Sequence, residues 1–180
     1  MKLKKILISF ILIFFPLKVY GLIEVDITRG NLNPLPLAVS ALFSDEETTK
    51  ALKKNIKVDQ IGYEISTIIE NNLKATGLFN PLEKKAFLQK PDVAHLKPRF
   101  EDWSLIKAQA LITGKVEFKD DKVRVEFRLW DVLAAREMLA LAFTTVPNNW
   151  RRIGHIISDK IYERLTGEKG YFDTRIIYVS

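Results

Sequence analysis

Two apolar stripes at helical spacing constrain this 180-residue chain more than anything else in it. Val58, Ile61, Ile65, Ile68, Ile69 and Leu73 form one; Trp150, Ile153, Ile157, Ile161 and Leu165 form the other. Each is a helix face that must be buried against something flat and apolar. Gly77 and Gly167 stand where left-handed C-caps belong. Ahead of the second stripe, Ala110 to Phe118, Val123 to Trp130 and Arg136 to Val146 read as strands. The order β, α, short β, α, β, β, β, α over residues 35–170 predicts an α/β domain. In it a mixed, roughly five-stranded sheet is packed by two to three helices. With 47% hydrophobic residues, the chain fills one core and is too short for two large ones.

The connecting segments are read by composition. Leu35 to Leu42 is a continuous apolar run, the first core strand, with Pro36 near its start or at a sheet edge. Ser44 to Lys54 is polar and reads as a solvated loop or helical turn. Leu78 to Leu82 is a short apolar segment, and Glu83 to Pro98 a long mixed loop of low order. Phe100 to Gln109 predicts a short helix opened by Glu101 or Asp102, with Phe100, Trp103, Leu105 and Ile106 inward. The strand Ala110 to Phe118 is expected to break at Gly114, and Lys119-Asp120-Asp121-Lys122 to turn a hairpin. Val123, Val125, Phe127 and Leu129 alternate with polar neighbours, and Leu139, Leu141 and Phe143 share a face of the next strand. Pro147-Asn148-Asn149 supplies a stop and an N-cap for the last helix.

The ends carry different signals. Lys2, Lys4 and Lys5 precede an apolar stretch from Ile6 to Leu17, and Val19-Tyr20-Gly21 offers a cleavage pattern, so residues 1–21 read as a secretory leader cut after Gly21. The apolar stretch is short of the ~20 residues a membrane-spanning helix needs. The leader holds four Lys and no acid, so removing it lowers the formal charge from +6 to +2 (24 basic against 22 acidic residues). Such a balance, without a dense basic face, gives no support to a nucleic-acid partner. No cysteine is present, which excludes disulfides, cysteine catalysis, thiolate metal sites and lipidation on cysteine. The mature form is expected to be soluble and unanchored. From Leu22 to Thr28, Ile23, Val25 and Ile27 alternate with Glu24, Asp26 and Thr28, and Arg29 to Pro34 follow as a hinge. This arm, residues 22–34, either adds a strand to another protein's sheet or pairs with this domain's own. Thr174 to Ser180 is a strand-like run with nothing after it to pair with, as though a second domain should begin there.

No residue set announces catalysis. His95 and His155 are isolated, Asp120-Asp121 is turn chemistry, and the glycines form no phosphate-binding pattern. No cofactor or metal is expected. Trp103 and Trp150 read as core residues, while Trp130, on the polar face of its strand, is the candidate for contact with a neighbouring domain. Arg151-Arg152 opens the last helix against its dipole and calls for an acidic neighbour or solvent.

Longer stretches carry a resemblance. Asn149 to His155 and Asp159 to Val179, together with Gly77-Leu78-Phe79-Asn80-Pro81-Leu82, Asp102-Trp103, Ala110-Leu111-Ile112-Thr113-Gly114 and Phe127-Arg128-Leu129-Trp130-Asp131-Val132, are similar in order and kind to the TolB family of the bacterial Tol-Pal envelope system. The resemblance implies an N-terminal α/β domain followed by a six-bladed β-propeller, of which residues 171–180 are the linker and first strand and the rest is missing. It implies a periplasmic, non-catalytic adaptor between TolA and the lipoprotein Pal, serving outer-membrane integrity and constriction at cell division. TolA would be engaged by the arm, here Ile23, Glu24, Val25, Asp26, Ile27 and Thr28. Pal, held mainly by the propeller, is not expected to bind this chain. The alternative is the product of a broken gene without independent function.

Overall fold

The computed structural model describes residues 23–25 and 33–174. The leader, Leu22, Asp26 to Leu32, and Arg175 to Ser180 of the terminal strand-like run lie outside the described residues. The elements are β1 (Leu35–Val39), β2 (Phe43–Ser44), α1 (Glu46–Ile56), α2 (Ile61–Ala75), β3 (Phe79–Pro81), α3 (Pro91–Ala94), α4 (Phe100–Leu105), β4 (Ala110–Lys119), β5 (Lys122–Asp131), β6 (Arg136–Thr145) and α5 (Trp150–Thr166). One mixed sheet runs β3-β1-β4-β5-β6, with the two-residue β2 on β4 as a sixth strand. β1 is parallel to β3 and to β4, whereas β4, β5 and β6 form antiparallel hairpins.

The period of two on β4 and β5 decides which side of the sheet is dry. Ala110, Ile112 and Val116 stand beside Val123, Val125, Phe127 and Leu129, all buried, and α1, α2 and α5 cover them. The stripe expected on α5 is buried throughout, from Trp150 to Leu165, and Gly167 ends that helix at φ +77°. On α2 the helix begins at Ile61, later than the stripe suggested, and Val58 packs on the core from outside it. Gly62 lies where the chain crosses α2: a Cβ there would collide with the carbonyl of Leu42.

Several segments depart from expectation. Ser44 to Lys54 is mostly helix, because the Asp45 carboxylate accepts the N–H of Thr48 at 2.7 Å as an N-cap and Leu52 anchors the buried side. The first core strand ends at Val39, and the chain re-enters the sheet only at Phe43. β4 passes through Gly114 unbroken, with Gly114 opposite Phe127 in the ladder. Asn149 stands at the N-cap of α5 but makes no side-chain cap bond.

Glu83 to Pro98 is an ordered cover on the other sheet face: a 3₁₀ turn at Lys84–Ala86, then α3. Gln89, 4% exposed, ties it together. Its Nε2 donates to the carbonyl of Lys97 (3.0 Å), and its Oε1 accepts the N–H of Arg99 (2.9 Å) and the indole N–H of Trp103 (3.1 Å). Beneath lie Ala38, Ala94, Trp103, Ala108, Leu111 and Val132, a second, smaller core. α4 opens at Phe100 with Arg99 as N-cap, and Glu101 and Asp102 lie in its first turn. Leu105, expected inward, is 74% exposed. Two residues on a helix are ~200° apart, so with Trp103 facing in, Leu105 faces out.

β6 is an edge strand, unpaired on its outer side among the described residues. Its register shifts at one point: Leu129 pairs with Leu139 but Trp130 with Glu137, leaving Met138 bulged. The Met138 carbonyl accepts from Arg164 Nε of α5 at 3.2 Å.

Candidate functional site

The C-terminal end of α5 is where the arm meets the domain. A helix leaves its last four carbonyls without intrahelical donors. The N–H of Gly167 closes on the carbonyl of Glu163 at 2.9 Å, and the N–H of Val25 donates to the carbonyl of Leu165 at 2.7 Å. Val25 is buried, Ile23 packs on the same core, and Glu24 between them is exposed. The in-out alternation read from the sequence therefore holds over the described part of the arm. Ile23–Val25 nonetheless join no strand of the domain's sheet. Asp26, Ile27 and Thr28 lie outside the described residues.

Beside this root, a trough of about 570 Å³ runs between β6 and α5, lined by Glu24, Leu139, Leu141, Lys160, Glu163, Arg164 and Gly167. Within it Lys160 pairs with Glu163 at 2.8 Å, and that bond holds the ammonium above its ordinary pKa. Arg164 spends its Nε on Met138.

Trp130 lies on the opposite face of the sheet. Its indole N–H donates to Thr113 Oγ1 at 2.9 Å and its half-buried ring meets Phe100 edge-on at 5.8 Å. The two histidines are structural. Asn72 Nδ2 donates to His155 Nδ1 at 3.0 Å and to Ser158 Oγ at 2.9 Å, joining α2 to α5. The imidazole of His95 stacks on Phe43 at 4.6 Å and bonds the Pro91 carbonyl at 3.0 Å. Asp120 and Asp121, at φ +52° and +55°, form the hairpin turn expected of them. Arg152 finds its acid in Asp173, while Arg151 covers the Trp150 ring.

Near His95 a cavity of about 140 Å³ is lined by Leu96, Gly114, Lys115, Glu126 and Arg128. Lys115 pairs with Glu117 at 2.8 Å and Arg128 with Glu137 at 3.4 Å. Among the described residues every buried side-chain polar atom has a partner, and no three His, Cys, Asp or Glu side chains converge. None of their helices is long and apolar enough to cross a membrane. The residues that sequence reasoning missed are Leu165, which acts through its carbonyl, and Gln89, a polar residue inside a mixed loop. Neither leaves a periodic signal.

The sequence model of the TolB amino-terminal domain matches residues 23–138. The chain belongs to the TolB family. The Tol-Pal system protein TolB of Pelagibacter ubique (strain HTCC1062) is 70% identical over all 180 residues, and this chain spans 40% of that TolB's length. The crystal structure of TolB from Acinetobacter baumannii superposes with a TM-score of 0.61 at 22% identity, over 78% of this chain and 30% of that one, and so shares the fold. The described residues thus carry the α/β fold of the TolB amino-terminal domain, and no propeller blade is among them.

Proposed function

We propose that this chain is the amino-terminal module of a periplasmic, non-catalytic Tol-Pal adaptor, and that residues 22–33 bind a TolA-like protein by adding a strand to its sheet. The observation that carries the reading is the 70% identity to a Tol-Pal system protein, in an alignment that covers the whole chain and so includes the arm. The geometry is compatible with it. Ile23–Val25 alternate in burial as a strand does, yet are held by a single described main-chain bond, Val25 N–H to Leu165 C=O. Main-chain groups free of the domain's own sheet are what strand addition requires. The module would support outer-membrane integrity and constriction at division, with little hold on Pal. Titrating the chain from Leu22 onward against the C-terminal domain of TolA, with and without residues 22–33, tests this. Loss of binding on deletion is expected; equal affinity for both forms would overturn it.

A further inference from the structure

Past Gly167 the chain does not leave the domain at the end of α5 but turns back along it. Asp159, two turns before that end, receives it: one carboxylate oxygen accepts the N–H of Phe172 at 2.7 Å and the other the N–H of Asp173 at 3.1 Å. Two turns further toward the start of α5, Arg152 grips the Asp173 carboxylate through two nitrogens, at 2.9 Å from both Nε and Nη2. Gly170 permits the approach, since a Cβ there would drive into the backbone of Asp159. On the flank, Tyr162 meets the rings of Tyr171 and Phe172 edge-on at 5.7 and 6.0 Å, and rests on Phe79 of β3.

We infer that Asp159 and Arg152 form a latch that fixes the direction in which the chain continues beyond residue 174. Charge-assisted bonds to consecutive amides determine both the position and the heading of a backbone, which apolar contact alone does not. Connections between domains are usually loose; here Phe172 and Asp173 are held by specific bonds from α5. The latch runs from the middle of α5, at Asp159, to its N-terminal turn, at Arg152, and the arm root lies at its C-terminal end. Along α5, Asp159 stands ~9 Å and Arg152 ~20 Å before Leu165, so the returning chain moves away from the arm root as it passes from one to the other. A domain attached beyond residue 174 would thus be aimed away from the arm root.

The test uses the chain from Leu22 to Ser180, which keeps every described element. The chain has no cysteine, so nitroxides can be placed uniquely at Glu64→Cys on α2 and Thr174→Cys. In the wild type the interspin distance is expected to be narrowly distributed and the amides of Phe172 and Asp173 protected from exchange. Asp159→Ala should broaden that distribution and speed exchange at those two amides about 10- to 100-fold, with Ile112 and Phe127 unchanged. Asp159→Asn should fall between, and Arg152→Ala should show a smaller acceleration. Unprotected amides in the wild type, unchanged exchange in Asp159→Ala, or acceleration shared equally by Ile112 and Phe127 would each overturn the latch.

Discussion

The two faces of the sheet are built on different principles. One lies under α1, α2 and α5 and is apolar from Leu37 to Leu165. Each of its large side chains contributes ~1.5–3 kcal/mol by leaving water. The other carries only two short helices and a 3₁₀ turn over a small core; beyond their reach it opens into a ladder of charges, Lys115, Glu117, Arg124, Glu126 and Arg128. There the cover is held by the hydrogen bonds of Gln89 as much as by area. A dry face tolerates variation in its polar exterior, whereas a polar knot fails when one member is lost.

The contrast can be broken or sharpened at three sites. Ile157→Ala, at the centre of the dry face, is expected to cost about 3 kcal/mol, read as a lower urea midpoint at unchanged slope. A cost under ~1 kcal/mol would mean that α5 repacks freely. Gln89→Ala should cost about 2 kcal/mol, because it strands the Trp103 indole, the Arg99 amide and the Lys97 carbonyl. Its signature should be regional, with amide exchange rising across 83–106 before it rises in β5. Exchange that rises everywhere together would show one cooperative unit and erase the distinction between the faces. Arg124→Ala, on the open half, removes a 2.6 Å ion pair with Glu126 whose partners are both partly exposed, and should shift stability by no more than ~0.5 kcal/mol. A larger loss would assign that ladder a structural role.

The same contrast explains what could be read from the sequence. The dry face announces itself by period, since helices of fifteen and seventeen residues repeat their contacts often enough to show. Trp150 to Leu165 therefore came out residue by residue. The cover escaped because Gln89 works through partners eight to fourteen positions away, in a segment whose composition says loop. α1 escaped for a related reason: within its eleven residues only Thr48 and Leu52 are buried, too few to make a stripe. Leu105 misled because α4, six residues long, is too short for periodicity to sort inside from outside. In the arm the alternation of Ile23, Glu24 and Val25 was legible. Its landing point was not, because the acceptor is a main-chain carbonyl that any residue at position 165 would provide. The asparagine before α5 took the expected place without the expected bond, a reminder that capping propensity names a position more surely than a contact.

Met138 has a consequence of another kind. Edge strands are templates, and a straight one ten residues long would show a row of unspent amides to any polypeptide drifting past. The bulge interrupts that row, and Arg164 occupies one of its carbonyls from the side. On the proposed function, a chain whose arm lends a strand is served by an edge that does not itself collect strands. The kink in β6 takes away the straight run of amides along which a second copy would pair.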